Sequence, residues 1–168
     1  MERTNNMQFE IAADGKSVHI SRQYAAPLEQ VWKAWTEAPV LDEWWAPAPW
    51  KCSTKRMDFR EGGEWLYSMN GPEGEKVWSH CAYGEIEPLS YFEAKDNFCD
   101  ENGKPTGDMP SMNWRTEFSE NEIGTRVENR IRTKSAADLS QLVDMGFREG
   151  FEMGQNNLED WLAKNKQI

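Results

Sequence analysis

Apolar and polar residues alternate through much of the chain between residues 18 and 132, which is the pattern of β-strands that bury one face. The alternation is clearest where Met112, Trp114 and Phe118 fall in phase. The same pattern predicts strands at 18–24, 51–59, 64–70, 77–86, 91–98, 112–118 and 126–132. Glycine-containing turns separate several of them, which favours an antiparallel meander. Residues 1–16 are expected to form a frayed or loosely paired start.

Helical spacing replaces this alternation in two places. After the first strand, Pro27 and Pro39 each stand where a short helix begins, because proline costs little at the first helical position. Near the end of the chain, apolar residues recur at three- and four-residue steps from Leu139 to Leu162. A segment with the form of a capping box, beginning at Ser135, precedes them. The spacing predicts one helix from about residue 136 to residue 164.

The order of these elements predicts an α+β fold and a single domain over residues 1–168. A meander must bury one face of its sheet, and the predicted terminal helix is the only element long enough to cover that face. We therefore expect a curved antiparallel sheet of about six or seven strands wrapped on a long C-terminal helix, with two short helices after the first strand.

Glycines at positions 146, 150 and 154 lie on one stripe of the predicted helix. Glycine inside a helix costs about 1 kcal/mol relative to alanine, so each position calls for a compensating role. One interpretation is close packing of the helix backbone on the sheet. The other is open volume between helix and sheet. The two are compatible, since a cavity can occupy one end of the helix only.

Aromatic residues make up 12% of the chain, with nine tryptophans, and eight methionines accompany them. Large rings and flexible thioethers suit either a thick core or an adaptable apolar cavity. The formal net charge of −10 argues against binding to nucleic acid or to an anionic membrane surface. The start of the chain is polar and lacks the apolar segment of a secretion signal. Three widely spaced cysteines favour reduced thiols, so we expect a cytoplasmic protein.

Candidate chemistry is scarce. The two histidines, His19 and His80, have no metal-ligand spacing, and no glycine loop precedes a helix to hold phosphate. His80 and Cys81 are adjacent on a strand, so their side chains point to opposite faces and cannot act on each other. No metal and no cofactor is therefore expected. Asn129 lies on the apolar face of its strand, either as a group that orients a ligand or as a hydrogen-bonded core amide.

Several segments resemble a known family. They are the run from Ala25 to Thr36, Leu41 with Trp44-Trp45-Ala46-Pro47, the run from Met57 to Trp65 with its Arg-x-Gly-Gly, the run from Tyr83 to Pro88, and the run from Gly146 to Phe151 followed by Leu158. Together, over about residues 18–164, they resemble bacterial homologues of the activator of the 90-kDa heat-shock protein ATPase, within the START-like (SRPBCC) helix-grip superfamily.

The resemblance implies a deep cavity between sheet and long helix, which the superfamily uses for lipids, polyketides and other apolar ligands. On this basis we expect a small hydrophobic or aromatic ligand, held by dispersion and ring stacking. The expected lining is Trp35, Trp44, Trp65, Tyr67, Met69, Met112, Trp114, Phe147 and Phe151, with Asn129 as a polar anchor.

Two other functions stay open at this point. The first is a co-chaperone that binds a chaperone ATPase through its surface, as the family name implies. The second is a cyclase, hydrolase or isomerase acting on a molecule in the cavity, which needs at least one titratable side chain facing that cavity. The sequence indicates neither the identity of a ligand nor the oligomeric state.

Overall fold

The computed structural model describes residues 7–107 and 109–166. Its eight strands are β1 (Gln8–Ile11), β2 (Ser17–Tyr24), β3 (Lys51–Asp58), β4 (Glu64–Asn70), β5 (Lys76–Glu87), β6 (Tyr91–Cys99), β7 (Met112–Glu120) and β8 (Thr125–Arg132). Its four helices are α1 (Leu28–Thr36), α2 (Ala38–Trp44), α3 (Ala136–Asp144) and α4 (Phe147–Lys164). The predicted α+β order is confirmed, with both short helices directly after β2.

All eight strands form one antiparallel sheet in the order β1-β2-β8-β7-β6-β5-β4-β3. Each predicted strand is present, with ends close to those that the alternation gave. The count exceeds the prediction of six or seven because the start of the chain is paired: Phe9 lies opposite Ile20, at the edge of the sheet. Phe9 also contacts Phe147 at the start of α4, which gives this edge strand an apolar contact.

The prediction of one helix over 136–164 was wrong. The chain leaves α3 at Met145, and Gly146 adopts φ 94° before α4 begins. Gly146 donates its N–H to the Val143 carbonyl and accepts the Gly150 N–H, so it ends one helix and starts the next. A left-handed residue at this place favours glycine, because a Cβ would clash with its own backbone. The predicted cap is present, since the Asp138 N–H donates to Ser135 Oγ at 3.2 Å.

Helix α4 is fixed at its middle to strand β2 by buried polar contacts. Arg22, only 2% exposed, donates to Asn156 Oδ1 at 2.9 Å and to Glu159 Oε2 at 2.5 Å. The hydroxyl of Tyr24 donates to Gln155 Oε1. At the start of α4, Phe151 instead packs on Trp114 of β7, with ring centroids 5.9 Å apart. The helix therefore crosses the concave face of the sheet from β2 towards β7.

The three glycines have three different roles. Gly146 forms the helix break. A Cβ added at Gly154 would lie 3.1 Å from the Trp45 carbonyl oxygen, so this glycine lets α4 pack against the end of α2. A Cβ added at Gly150 would meet only Pro47 Cγ, at 3.9 Å. Close packing thus explains position 154, where the partner is α2 rather than the sheet, and open space lies beside position 150.

Two matched substitutions test this assignment. Gly150→Ala should raise the free energy of unfolding by about 1 kcal/mol, because alanine is the better helix former and its methyl group has room. Gly154→Ala should lower it, since the Trp45 carbonyl would have to move. Asn157 Nδ2 bonds the neighbouring carbonyls of Trp44 and Ala46, at 3.3 and 3.0 Å, and so opposes that movement. Urea unfolding of both variants measures the difference, and equal effects would contradict the assignment.

Candidate functional site

A cavity of about 190 Å³ lies between the concave face of the sheet, the end of α2 and the first half of α4. We call it the outer cavity. Its lining is Trp44, Trp45, Pro47, Tyr67, Met69, Val77, Ser79, Asp96, Phe98, Met112, Trp114, Phe147, Gly150, Phe151, Gly154 and Gln155. The lining is mostly apolar and aromatic. Val77 is 38% exposed, and Pro47, Met69 and Gly150 are half-buried, so these residues mark its opening to solvent.

The strand register explains why these side chains meet. Residues directly opposite each other on neighbouring strands point to the same face. Asp96 on β6 lies opposite Cys81 on β5 and opposite Met112 on β7. Tyr67 on β4 lies opposite Ser79 on β5. These two rows face the helices and form the floor of the cavity.

A smaller inner cavity of about 30 Å³ adjoins the outer one. Its lining is Trp35, Leu41, Trp45, Trp65, Cys81, Tyr83, Phe92, Ala94, Asp96, Trp114 and Thr116. Trp45, Asp96 and Trp114 line both cavities and so form the boundary between them. A volume of this size holds about one or two water molecules.

Trp45 is the central ring of this boundary. Its ring centroid lies 5.9 Å from that of Trp35, 5.6 Å from that of Trp65 and 6.0 Å from that of Trp114. Its indole N–H donates to the Tyr67 hydroxyl at 3.1 Å. The contacts with Trp35 and Trp65 are edge-to-face and the contact with Trp114 is tilted, and such contacts favour one arrangement of the rings over others. The aromatic wall therefore has a defined shape.

The structure brings together all but one of the side chains that the sequence suggested. Trp44, Tyr67, Met69, Met112, Trp114, Phe147 and Phe151 line the outer cavity, and Trp35, Trp65 and Trp114 line the inner one. Asn129 is absent from both linings. It is buried, and its Oδ1 accepts a hydrogen bond from Thr116 Oγ1 at 2.8 Å. Asn129 is thus a hydrogen-bonded core amide, which is the second of the two interpretations.

Among the lining residues that the sequence analysis did not name are Trp45, Asp96 and Gln155. Asp96 had a signal, because it stands in the same alternating phase as Phe92, Ala94 and Phe98 on β6. A carboxyl on the apolar face of a strand is a candidate site residue for the same reason as Asn129. Trp45 directly follows Trp44, which is the last residue of α2. Both rings point inward because the helix ends here, and helical spacing alone does not predict this.

Among the described residues that line either cavity, Asp96 is the one with a carboxyl group. Burial raises its pKa to about 7, and a hydrogen bond from the Cys81 thiol opposes that rise. No lysine, arginine or histidine appears in either described lining to stabilise the ionised form. A carboxyl of this kind changes its protonation near neutral pH and can exchange a proton with a molecule in the cavity.

The other titratable groups of the floor stay neutral at physiological pH. Burial raises the pKa of Tyr67 and of Cys81 well above their ordinary values. A buried thiol in apolar surroundings is a poor nucleophile. His80 bonds Glu64 at 2.9 Å and contributes to neither lining, which confirms that His80 and Cys81 point to opposite faces.

No group of three or more His, Cys, Asp or Glu side chains in residues 7–107 and 109–166 is arranged to hold a metal ion. Within the same part of the chain, no helix has both the length and the apolar character needed to cross a membrane.

The raised pKa of Asp96 predicts how stability depends on pH. The unfolded carboxyl ionises near pH 3.8 and the folded one near 7, so folding should become less favourable as pH rises between these values. The full difference corresponds to roughly 4 kcal/mol. Asp96→Asn, which cannot ionise, should remove this dependence.

Urea unfolding at pH 5 and pH 8 checks this expectation. Relative to the wild type, the free energy of unfolding of Asp96→Asn should rise by a few kcal/mol between pH 5 and pH 8. Asp144→Asn, at an exposed position on α3, is the control and should match the wild type at both. A stability difference between wild type and Asp96→Asn that does not change with pH would contradict the raised pKa.

Comparison with known proteins agrees with this geometry. Residues 25–163 match the AHSA1 family, described as activator of Hsp90 ATPase homolog 1-like protein. No curated protein matches the chain significantly.

Among solved structures, the chain is similar to a Mycobacterium smegmatis protein with 28% identity and a TM-score of 0.85, over 92% of this chain and 95% of that one. A Nitrosomonas europaea protein is 26% identical with a TM-score of 0.78, over 92% and 97%. The AHSA1 protein of Silicibacter pomeroyi shares the fold, at 15% identity and a TM-score of 0.71, over 88% and 98%. The chain belongs to the AHSA1 family and has its helix-grip-like fold.

Proposed function

We propose that this protein binds a small hydrophobic or aromatic molecule in the outer cavity. The observation that carries the proposal is the cavity itself, about 190 Å³ of space with an aromatic lining and an opening beside Gly150. A dry cavity of about 150 Å³ in an unrelated protein core accepts benzene. The size here therefore suits a molecule of one or two rings.

The lining supports ring binding in two ways. Trp114 and Phe151 both line the outer cavity, and ring contacts with a planar guest add to the free energy of apolar burial. Met69 and Met112 have flexible side chains that adapt to guests of different shape. The cavity thus selects for apolar planar molecules without requiring one exact outline.

Catalysis on a bound molecule is the second candidate function, and Asp96 is the observation that favours it. A cyclase, hydrolase or isomerase needs a titratable group at the substrate, and a carboxyl with a pKa near 7 is suited to general acid or base chemistry at neutral pH. Binding without catalysis needs fewer features of the site, so it is the function proposed here. A role with a chaperone ATPase rests on the family name alone.

Titration with toluene and with naphthalene tests the proposal, and the indole N–H signals in a ¹H–¹⁵N NMR spectrum report binding. Both probes should shift the signals of Trp45 and Trp114 saturably. Gly150→Leu, which adds a side chain beside the cavity, should weaken binding by about tenfold or more. Met153→Leu, on an exposed part of the same helix, should bind like the wild type. Saturable binding of neither probe, or unchanged binding by Gly150→Leu, would reject the proposal.

A further inference from the structure

Three buried polar atoms at the two cavities lack a hydrogen-bond partner among the described residues. They are Asp96 Oδ1, Trp35 Nε1 and Trp114 Nε1. The three residues are 7%, 4% and 9% exposed. Leaving such atoms unpaired is costly, and native proteins leave few of them so. All three residues line the inner cavity, so this small space is common to the three side chains with an unmet hydrogen bond.

The chemistry of these atoms restricts what can satisfy them. An indole N–H only donates, so two of the three atoms require an acceptor. A carboxyl oxygen accepts when ionised, and a protonated carboxyl also donates. A hydrocarbon satisfies none of them. A cation pairs with Asp96 and leaves both indoles unmet, whereas an anion pairs with the indoles and lies beside the carboxyl.

A hydroxyl or a primary amide can accept from an indole N–H and also donate to the carboxylate, because each of these groups both donates and accepts. Such a group also suits Asp96 in either protonation state, since it can donate to the carboxylate or accept from the acid. The titratable groups that interact electrostatically with Asp96 are Tyr67 on β4, Cys81 and Tyr83 on β5 and Cys99 on β6. The residues that line a cavity with Asp96 from β7, the end of α2 and α4 include Met112, Trp114, Trp45 and Gln155, which carry no charge.

The position of these residues also gives the ligand an orientation. Asp96 and Trp114 line both cavities, whereas Trp35 lines only the inner one. A ring in the outer cavity therefore reaches Asp96 and Trp114 with a polar substituent at its inner end. The inner cavity, about 30 Å³, has room for that substituent or for a water molecule beside it.

We infer that the ligand class is uncharged aromatic molecules that carry one hydroxyl or primary amide, with the ring in the outer cavity and the polar group on Asp96 and the Trp114 indole. The inference rests on the proposed function, because it names the class of molecule that the same cavity binds. The inferred class excludes purely apolar lipids and hydrocarbons.

Phenol and toluene form a matched pair of probes, since a hydroxyl replaces a methyl group of similar size. Phenol should bind the wild type more tightly than toluene. Asp96→Leu should reduce the ratio of the two affinities by about tenfold or more. Met153→Leu, at an exposed position of α4 outside both linings, should keep the wild-type ratio. Phenol should move the Trp114 indole N–H signal downfield, because a hydrogen bond forms. Toluene should shift the same signal without that downfield movement.

Trp114→Phe provides a second variant, which keeps an aromatic ring at this position and removes the indole donor together with part of the ring surface. Both probes lose ring contact, but only phenol also loses a hydrogen bond, so the ratio of the phenol to the toluene affinity should fall several-fold. If phenol binds no more tightly than toluene, or if the ratio is the same in Asp96→Leu as in the wild type, the inference is overturned while the proposed function stands. If neither probe binds the wild type, the proposed function fails and the inference fails with it.

Discussion

The contact between α4 and the end of α2 sets the spacing of the whole molecule. At Gly154 the helix backbone comes directly against the Trp45 carbonyl, and Asn157 bonds the carbonyls on either side of it. Since the end of α2 lies beneath α4 at this point, the first half of α4 cannot settle onto strands β4 to β6. The outer cavity is therefore a consequence of how two helices pack, and the sheet supplies its floor.

The same contact fixes the aromatic wall. Trp44 and Trp45 stand at the end of α2, so the position of α4 also determines where their rings lie. Trp44 donates its indole N–H to the Ala34 carbonyl of α1 at 2.9 Å, and Trp45 donates to Tyr67 on β4. The first bond joins the two short helices to each other, and the second joins the end of α2 to the sheet. The rigid wall and the space beside it thus share one structural cause.

Most of the fold could be predicted because alternation and helical spacing report burial directly. The seven strands after the start of the chain and the cavity-lining rings on β4 and β7 all follow from period and phase. The break at Gly146 could not be predicted in this way, since apolar residues continue at helical steps on both sides of it. Asp96 was missed although its phase was correct, because phase alone does not distinguish a buried carboxyl from an exposed one. For Asn129, the inward phase was predicted correctly but the role as a ligand anchor was not. Its hydrogen-bond partner, Thr116 on the neighbouring strand, could only be identified from the sheet register.

The carboxyl at position 96 also limits how this protein can change in evolution. Selection for stability alone would replace it readily, since a leucine at this place would remove a buried ionisable group and pack against Met112 and Cys81. If the inferred ligand class is correct, relatives with an acidic residue here should bind the same class of molecule, whereas relatives with an aliphatic residue should not. Under that proposal, position 96 is the position to compare when AHSA1 proteins are grouped by ligand.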